Sequence, residues 1–205
     1  RENKVMSLKT RFGNLGNILD FDNLTKEDIF VLDSPILTNS QFKKFNKVFS
    51  SKIKIIDCTF EVKSSLRDRI EKIREECETA VREGSTTLIL SDKNISNDRA
   101  SIPSILSVGA AHSHLVKHGL RGYCSLNVEC SDALDTHSFA ILIGVGATTI
   151  NPYLAIDSIF QRFEKKLFGK SDFQSCIAKF KKSIDAGLLK IMSKMGISVI
   201  SSYRG

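Results

Sequence analysis

The chain contains no tryptophan, only three prolines, and no apolar run near the ~18–20 residues that span a bilayer. A membrane-crossing helix is therefore not expected. Residues 1–10 lack the apolar centre of a secretory signal. The five cysteines, Cys58, Cys77, Cys124, Cys130 and Cys176, are odd in number and form no C-x-x-C pair. A zinc or iron–sulfur site on cysteine is not expected from that spacing. They read as reduced, mostly buried small hydrophobes in a reducing compartment. The glycine loops that cradle phosphate, G-x-G-x-x-G and G-x-x-x-x-G-K-[ST], are both missing, as is H-E-x-x-H. The net charge of +7 is spread along the chain, with lysine pairs such as Lys165-Lys166 and Lys181-Lys182 but no dense basic run. Without aromatic-interleaved basic motifs, this reads as a solvated surface and not as a nucleic-acid interface.

What is present is a regular alternation. Ile53 to Ile56 is a β-branched run. Ser64 or Ser65 caps a helix to residue 83, with Leu66, Ile70, Ile73, Cys77 and Val81 on one face and Gly84 as its stop. Residues 86–90 form a second strand closed by Ser91-Asp92, and residues 92–103 a polar loop. A helix over 104–118 ends at Gly119, and a third strand covers 123–128. Residues 134–143 fit a strand or a buried helix; helix is favoured, with Gly144 and Gly146 ending it before a short strand at 148–150. Asn151-Pro152 opens a helix lined by Tyr153, Ile156, Phe160, Phe163 and Leu167. Phe173, Ile177, Phe180, Ile184, Leu188, Ile191 and Met195 form the face of a long helix, open to a kink at Gly187 and capped by Gly196. Ile197, Val199 and Ile200 make a final β-type run before Ser201-Ser202.

Towards the N-terminus, residues 11–17 should be irregular and Asp33-Ser-Pro35 a turn. Thr38 or Asn39 caps a helix to about residue 48, edged by Phe42, Phe45 and Phe49. Five strands thus alternate with helices. Crossovers of that length make the strands parallel and helix-covered. The fold class is α/β, mainly parallel, as an open sheet or as part of a β/α barrel.

In a parallel sheet the polar strand ends Asp57/Thr59, Ser91/Asp92, Asn127/Glu129, Asn151 and Ser201/Ser202 gather along one edge, the usual place for a ligand. Strand ends are also polar simply because they reach solvent. Asp92, Asp98 and Arg99 in the long loop suit either a ligand contact or a solvated connection. His114 and His118 stand four apart on one helix, a metal-ligand spacing, but the sequence shows no third ligand. His112 falls with Ile105, Val108, Leu115 and Val116, as a core or interface histidine does. Cys130, Asp135 and His137 compose a nucleophile set only on paper, because close neighbours in sequence seldom face one another.

The segments SPIL, LILSD, SVGAAHSHLV, GLRGYCSLNVE, INPYLAID, GLLKIMSKMGIS and SSYRG occur in this order. Together they resemble the central domain of the glutamate synthase large subunit, over about residues 8–205. That resemblance implies an α/β domain like a partial or distorted FMN-type barrel without flavin. It lies between glutaminase and FMN synthase domains and helps wall the ammonia tunnel between them. It implies residues 1–50 as linker and helix, 51–170 as the central α/β domain, and 171–205 as connecting helix and first strand of the synthase domain. The start at Arg1 and the stop at Gly205 are then expected to be cuts in a longer chain. FMN and an iron–sulfur cluster are implied for the full-length parent and none for this fragment, which should be inactive alone. Met195, Gly196, Ile197 and Ser198 match the segment that approaches FMN in the parent. Implied partners are the flanking domains, and for the parent an electron-donor subunit or ferredoxin, without nucleic acid or membrane. The implied compartment is a bacterial cytoplasm, with the plastid stroma as alternative. Set against this is an independent small α/β enzyme, or an anion-binding domain, using the strand-end polar edge.

Overall fold

The computed structural model describes residues 2–12, 30–48 and 50–204. A short helix α1 (Glu2–Val5) precedes an antiparallel pair, β1 (Thr10–Phe12) with β2 (Phe30–Leu32). Helix α2 (Asn39–Val48) follows the Pro35 turn and buries Phe42 and Phe45; the side chain of Phe49 lies outside the described residues. Then comes the alternating unit: β3 (Ile53–Asp57), β4 (Thr59–Glu61), α3 (Leu66–Arg82), β5 (Thr87–Ser91), β6 (Arg99–Ser101), α4 (Ser104–Lys117), β7 (Ser125–Glu129), α5 (Thr136–Gly144), β8 (Thr149–Asn151), α6 (Tyr153–Glu164) and α7 (Phe173–Met195).

The main sheet is parallel, in the order β3-β5-β7-β8. The stretch at Ile36 extends it beyond β8, bridging to Ile150 in parallel. Strand order follows chain order. With right-handed crossovers, a monotonic order sends every connecting helix to the same face. That is the arrangement of a barrel segment, whereas a doubly wound sheet reverses direction and is covered on both sides. Helices α3, α4 and α5 accordingly pack side by side. On the sheet face they cover, Ile56, Leu88, Leu90, Leu126, Val128 and Ile150 meet Ile73, Cys77, Ala111, Leu115, Phe139 and Ile143 in one core. Each fully buried Ile, Leu, Val or Phe among them stabilises by about 1.5–3 kcal/mol.

Local signals explain the helices. Ser65 has extended φ/ψ and accepts the amide of Asp68 at 3.3 Å, starting α3, and Gly84 turns away at φ 96°. Asp172 accepts the amide of Ser175 at 2.9 Å to start α7. Gly196, at φ 72°, closes that helix. Residues 134–143 resolve as helix: α5 is capped by Asp135, which accepts from the amide of Ser138 at 2.8 Å.

Three expectations change. Helix α7 runs unbroken through Gly187, for which a Cβ would stand 2.5 Å from the side chain of Thr136. The glycine is there to let α7 approach α5, not to bend it. The loop after β5 contains β6, which pairs antiparallel with β4. And the run at 197–200 is no fifth strand of the sheet. Val199 makes a single parallel bridge to Ser7, and residues 200–203 turn into a 3-10 helix. Its backbone is answered locally, Ser7 donating to the Ser198 carbonyl at 2.8 Å and Ile200 to the Ser7 carbonyl at 3.0 Å, while Ile200 buries itself in the core.

Candidate functional site

Parallel register puts the last residues of the four strands, Asp57, Ser91, Glu129 and Asn151, in one transverse row. The gathering of strand ends expected from the sequence therefore exists for these four. Asn127 lies one pleat repeat back on the same face, fully buried, and accepts from the Thr149 hydroxyl at 2.6 Å while donating to the Ser125 hydroxyl at 3.1 Å. Ser201 and Ser202 do not join the row. The following Tyr203 ring lies 3.5 Å from where a Cβ on Gly144 would stand, at the C-terminal end of α5. The 3-10 turn carries this segment to the sheet's opposite edge.

The row is tied up by the chain's own groups. Asp57 accepts from the Thr59 amide and hydroxyl at 2.9 and 2.7 Å and pairs with Arg99 at 3.0 Å. Arg99 also donates to the Thr59 hydroxyl at 2.9 Å, so the β4–β6 pair locks the end of β3. Arg69 reaches the Asp57 carbonyl from α3 and is held by Glu76 at 2.6 Å. Glu129 accepts the Ser91 hydroxyl at 2.6 Å and pairs with Lys93 at 2.7 Å; the Lys93 ammonium sits 5.1 Å above the Tyr153 ring. Asp92, only 2% exposed, accepts the Ser131 amide and hydroxyl at 2.9 and 2.6 Å through one oxygen. Its other oxygen has no protein partner. Asn151 donates to the Leu37 carbonyl at 3.0 Å and to Asn39 at 2.9 Å, stitching α2 to β8. On the row's side of the sheet, Phe42 of α2 and Leu37 pack against Ile89 in a separate small cluster. That face is thus plugged in part from within the chain.

Burial by itself would raise the Asp57 carboxyl, but the Thr59 and Asn94 side chains, the Thr59 amide and the Arg99 cation outweigh it and hold it below the usual range. A depressed carboxyl stabilises the fold fully above its unfolded value of ~3.9, and that share is lost as pH falls through the lower folded value. Asp57→Asn is therefore expected to flatten the acid limb of a stability–pH curve measured by urea unfolding below pH ~4. Wild type and variant falling in parallel there would contradict the assignment. Burial pushes the Tyr153 phenol up, and the neighbouring Asp92 charge pushes it further.

The rim does not fit a flavin phosphate. Its cations Arg99, Lys93 and Arg69 are already paired with the carboxylates of Asp57, Glu129 and Glu76. Helix N-termini that could receive an anion are largely taken: Ser65 caps α3, Asp135 caps α5, and Asp132 accepts the first amide of α4, Ser104, at 2.9 Å.

The other sequence candidates are placed as follows. The Cys130 thiol is buried and pushed up by that burial, and Asp135 is spent on its cap, so no nucleophile set assembles. All five cysteines are free and buried, with Cys124 raised to about 11 by burial. His112 is half-buried and accepts from Arg121 at 3.1 Å, in the structural role its helix position predicts. Asp98 is exposed, whereas Arg99 is engaged within the chain. Met195 and Ser198 are exposed at the end of α7, Ile197 packs on the core, and the space beside the Gly196 Cα is open. Lys93, Ser131, Tyr153, Arg69 and Glu78 were not legible as site residues. Lys93, Ser131 and Tyr153 stand within two residues of the candidates Asp92, Glu129 and Asn151, but no motif marks them, and Arg69 and Glu78 are charges on α3 that meet their partners Asp57 and His114 only in the fold. Among the described residues no helix is long and apolar enough to cross a membrane.

With this geometry in hand, comparison with known proteins is specific. A family model described as glutamate synthase central domain matches residues 1–205. The chain is 52% identical over its full length to the glutamate synthase [NADPH] large chain of Azospirillum brasilense. It is 38% identical to the ferredoxin-dependent glutamate synthase of Pyropia yezoensis and 37% to the chloroplastic one of Spinacia oleracea. It spans 14% of the length of each of these relatives. Among solved structures, a mutant flavocytochrome b2 with pyruvate bound aligns with 82% of this chain and 52% of its own, at 13% identity and a TM-score of 0.47.

Proposed function

The chain belongs to the glutamate synthase central domain family, and on that premise we propose that it works as a non-catalytic spacer. In this reading it holds a glutaminase domain and an FMN synthase domain in register and lends a wall to the ammonia tunnel between them. The parent makes glutamate from glutamine and 2-oxoglutarate as an oxidoreductase of nitrogen assimilation. The carrying observation is the closed rim: where a barrel enzyme presents ligand-binding groups, Asp57, Ser91, Glu129 and Asn151 are occupied by Thr59, Arg99, Lys93 and Asn39 of the same chain. At these four positions the polar groups already satisfy one another and gain little by exchange for a ligand; the unpartnered Asp92 oxygen beside them is the exception. The plug of Phe42 and Leu37 against Ile89 supports the same reading.

FMN and an iron–sulfur cluster belong, on this proposal, to the rest of the parent, which draws electrons from a donor subunit or ferredoxin. Met195, Gly196, Ile197 and Ser198 contribute to the FMN pocket only once the remaining synthase domain is present. The exposure of Met195 and the open space at Gly196 suit that use. The 52% identity to the Azospirillum brasilense chain favours a bacterial cytoplasm over a plastid stroma. The test rejoins the chain to its flanking domains. Glutamate formation should require the assembled protein, while residues 1–205 alone should show neither half-reaction nor saturable FMN binding. Either activity in the isolated chain would defeat the proposal.

A further inference from the structure

Helices α3 and α4 lie side by side, and their facing surfaces bring together Glu78, His114 and His118. The Nε2 of His114 is 2.6 Å from one Glu78 oxygen, and the Nδ1 of His118 is 3.6 Å from the same oxygen. One nitrogen from each imidazole and one carboxylate oxygen all lie within 4.8 Å of one another. The i,i+4 spacing brings the rings together, with centroids 4.2 Å apart and planes tilted at 53°. The His118 Nδ1 also donates to the His114 carbonyl at 3.0 Å, a hydrogen bond that a metal ion on this nitrogen would replace. Arg82 grips the other Glu78 oxygen at 2.8 Å and fixes the carboxylate from outside. We propose that Glu78, His114 and His118 form a binding site for a divalent transition-metal ion of the zinc type, clamping α3 to α4.

The donor set suits that ion class. Two imidazoles and a carboxylate are borderline ligands that favour zinc-type ions over Mg²⁺ or Ca²⁺, which take oxygen cages. Metal–ligand distances of about 2.0–2.2 Å in a tetrahedron place ligand atoms about 3.3–3.5 Å apart. The 2.6 and 3.6 Å separations bracket that value and all three ligand atoms lie within 4.8 Å of one another, so rotamer changes that draw the His118 ring off the His114 carbonyl bring them around a shared centre. The side chains are 19–34% exposed, which leaves an entry path and a fourth position for water. Sequence spacing alone showed the two histidines; the third ligand comes from a helix 36 residues earlier and becomes visible only when the helices pack. The arrangement holds whatever the flanking domains do, so the inference does not rest on the spacer reading.

The test titrates Zn²⁺ into the 205-residue chain in competition with a chromophoric zinc chelator, with circular dichroism confirming that each variant stays folded. Wild type should take up one Zn²⁺ per chain. Glu78→Gln and His118→Gln should each weaken uptake about tenfold or more. His137→Gln, altered at an exposed imidazole on α5, should bind as wild type does. Co²⁺ should give the visible bands of a low-coordinate nitrogen–oxygen site in wild type and lose them in His118→Gln. No competition by the folded wild type would overturn the proposal, and so would equal binding by wild type and His118→Gln. A His137→Gln variant as weak as the ligand variants would also overturn it, by marking the uptake as scattered surface histidine.

Discussion

Replacing Gly146 with alanine is expected to destabilise the domain by about 3 kcal/mol, combining the strain of an L-residue at positive φ with the cost of overpacking. Gly146 sits at φ 119°, and an added Cβ would come within 2.7 Å of the His112 Cβ, with the imidazole ring closer still. His112 belongs to α4, so the clash cannot be relieved by a loose surface group. The ring also accepts from Arg121, which donates to the Gly146 carbonyl at 2.9 Å and to the Cys124 carbonyl at 2.6 Å. Burial pulls that guanidinium below the usual arginine range, so displacing His112 would leave a buried cation short of a partner. The urea midpoint should fall with an unchanged slope, and Tm should drop roughly 6–12 °C for a domain of this size. A loss under about 1 kcal/mol would mean that the turn after α5 relaxes freely, contrary to the packing described.

Replacing Phe139 with alanine should cost about 3–5 kcal/mol, the range for emptying a fully buried aromatic site. Phe139 is completely buried on α5 and meets Phe180 of α7 edge-on, with centroids 6.4 Å apart and planes at 64°. It links α5 to α7, as Phe160 and Phe163 link α6 to Phe173 of α7. The close approach of Gly187 to Thr136 secures the same two helices further along. A double-mutant cycle with Phe180→Leu should yield a coupling of about 0.5–1.5 kcal/mol for the ring pair. Additive effects would show that the two rings do not act together.

Much of this was readable from residues alone because local chemistry and global fold agree over residues 53–195. Apolar periodicity, Ser65 and Asp172 as caps, and Gly84 and Gly196 as stops each mark a boundary the structure keeps. The parallel sheet followed from crossover length, and the row Asp57, Ser91, Glu129, Asn151 followed from parallel register. Features that depend on pairing at a distance were not readable. Strands β4 and β6 are three residues each, too short for an alternating pattern, and exist because Arg99 returns to Thr59 and Asp57. The run at 197–200 has strand composition but meets only Ser7, so composition lost to the absence of a partner edge. Gly187 looked like a hinge because a glycine inside a helix signals either a bend or a close contact, and only the neighbour, Thr136, decides which. Glu78 is one acidic residue among several on α3 until α4 brings His114 against it.

The proposed spacer role can be measured in the full-length protein: on that proposal this domain contributes position, not chemistry. The direct measurement is glutamate formed per glutamine hydrolysed, compared between the intact protein and one in which residues 1–205 are exchanged for a flexible linker of equal span. The account predicts that glutamine hydrolysis and the ammonia-fed synthase reaction both persist in the exchanged protein. Their coupling should fail, with ammonia escaping to solvent. Full coupling without the domain would contradict the account, and so would loss of the synthase reaction itself when ammonia is supplied in excess.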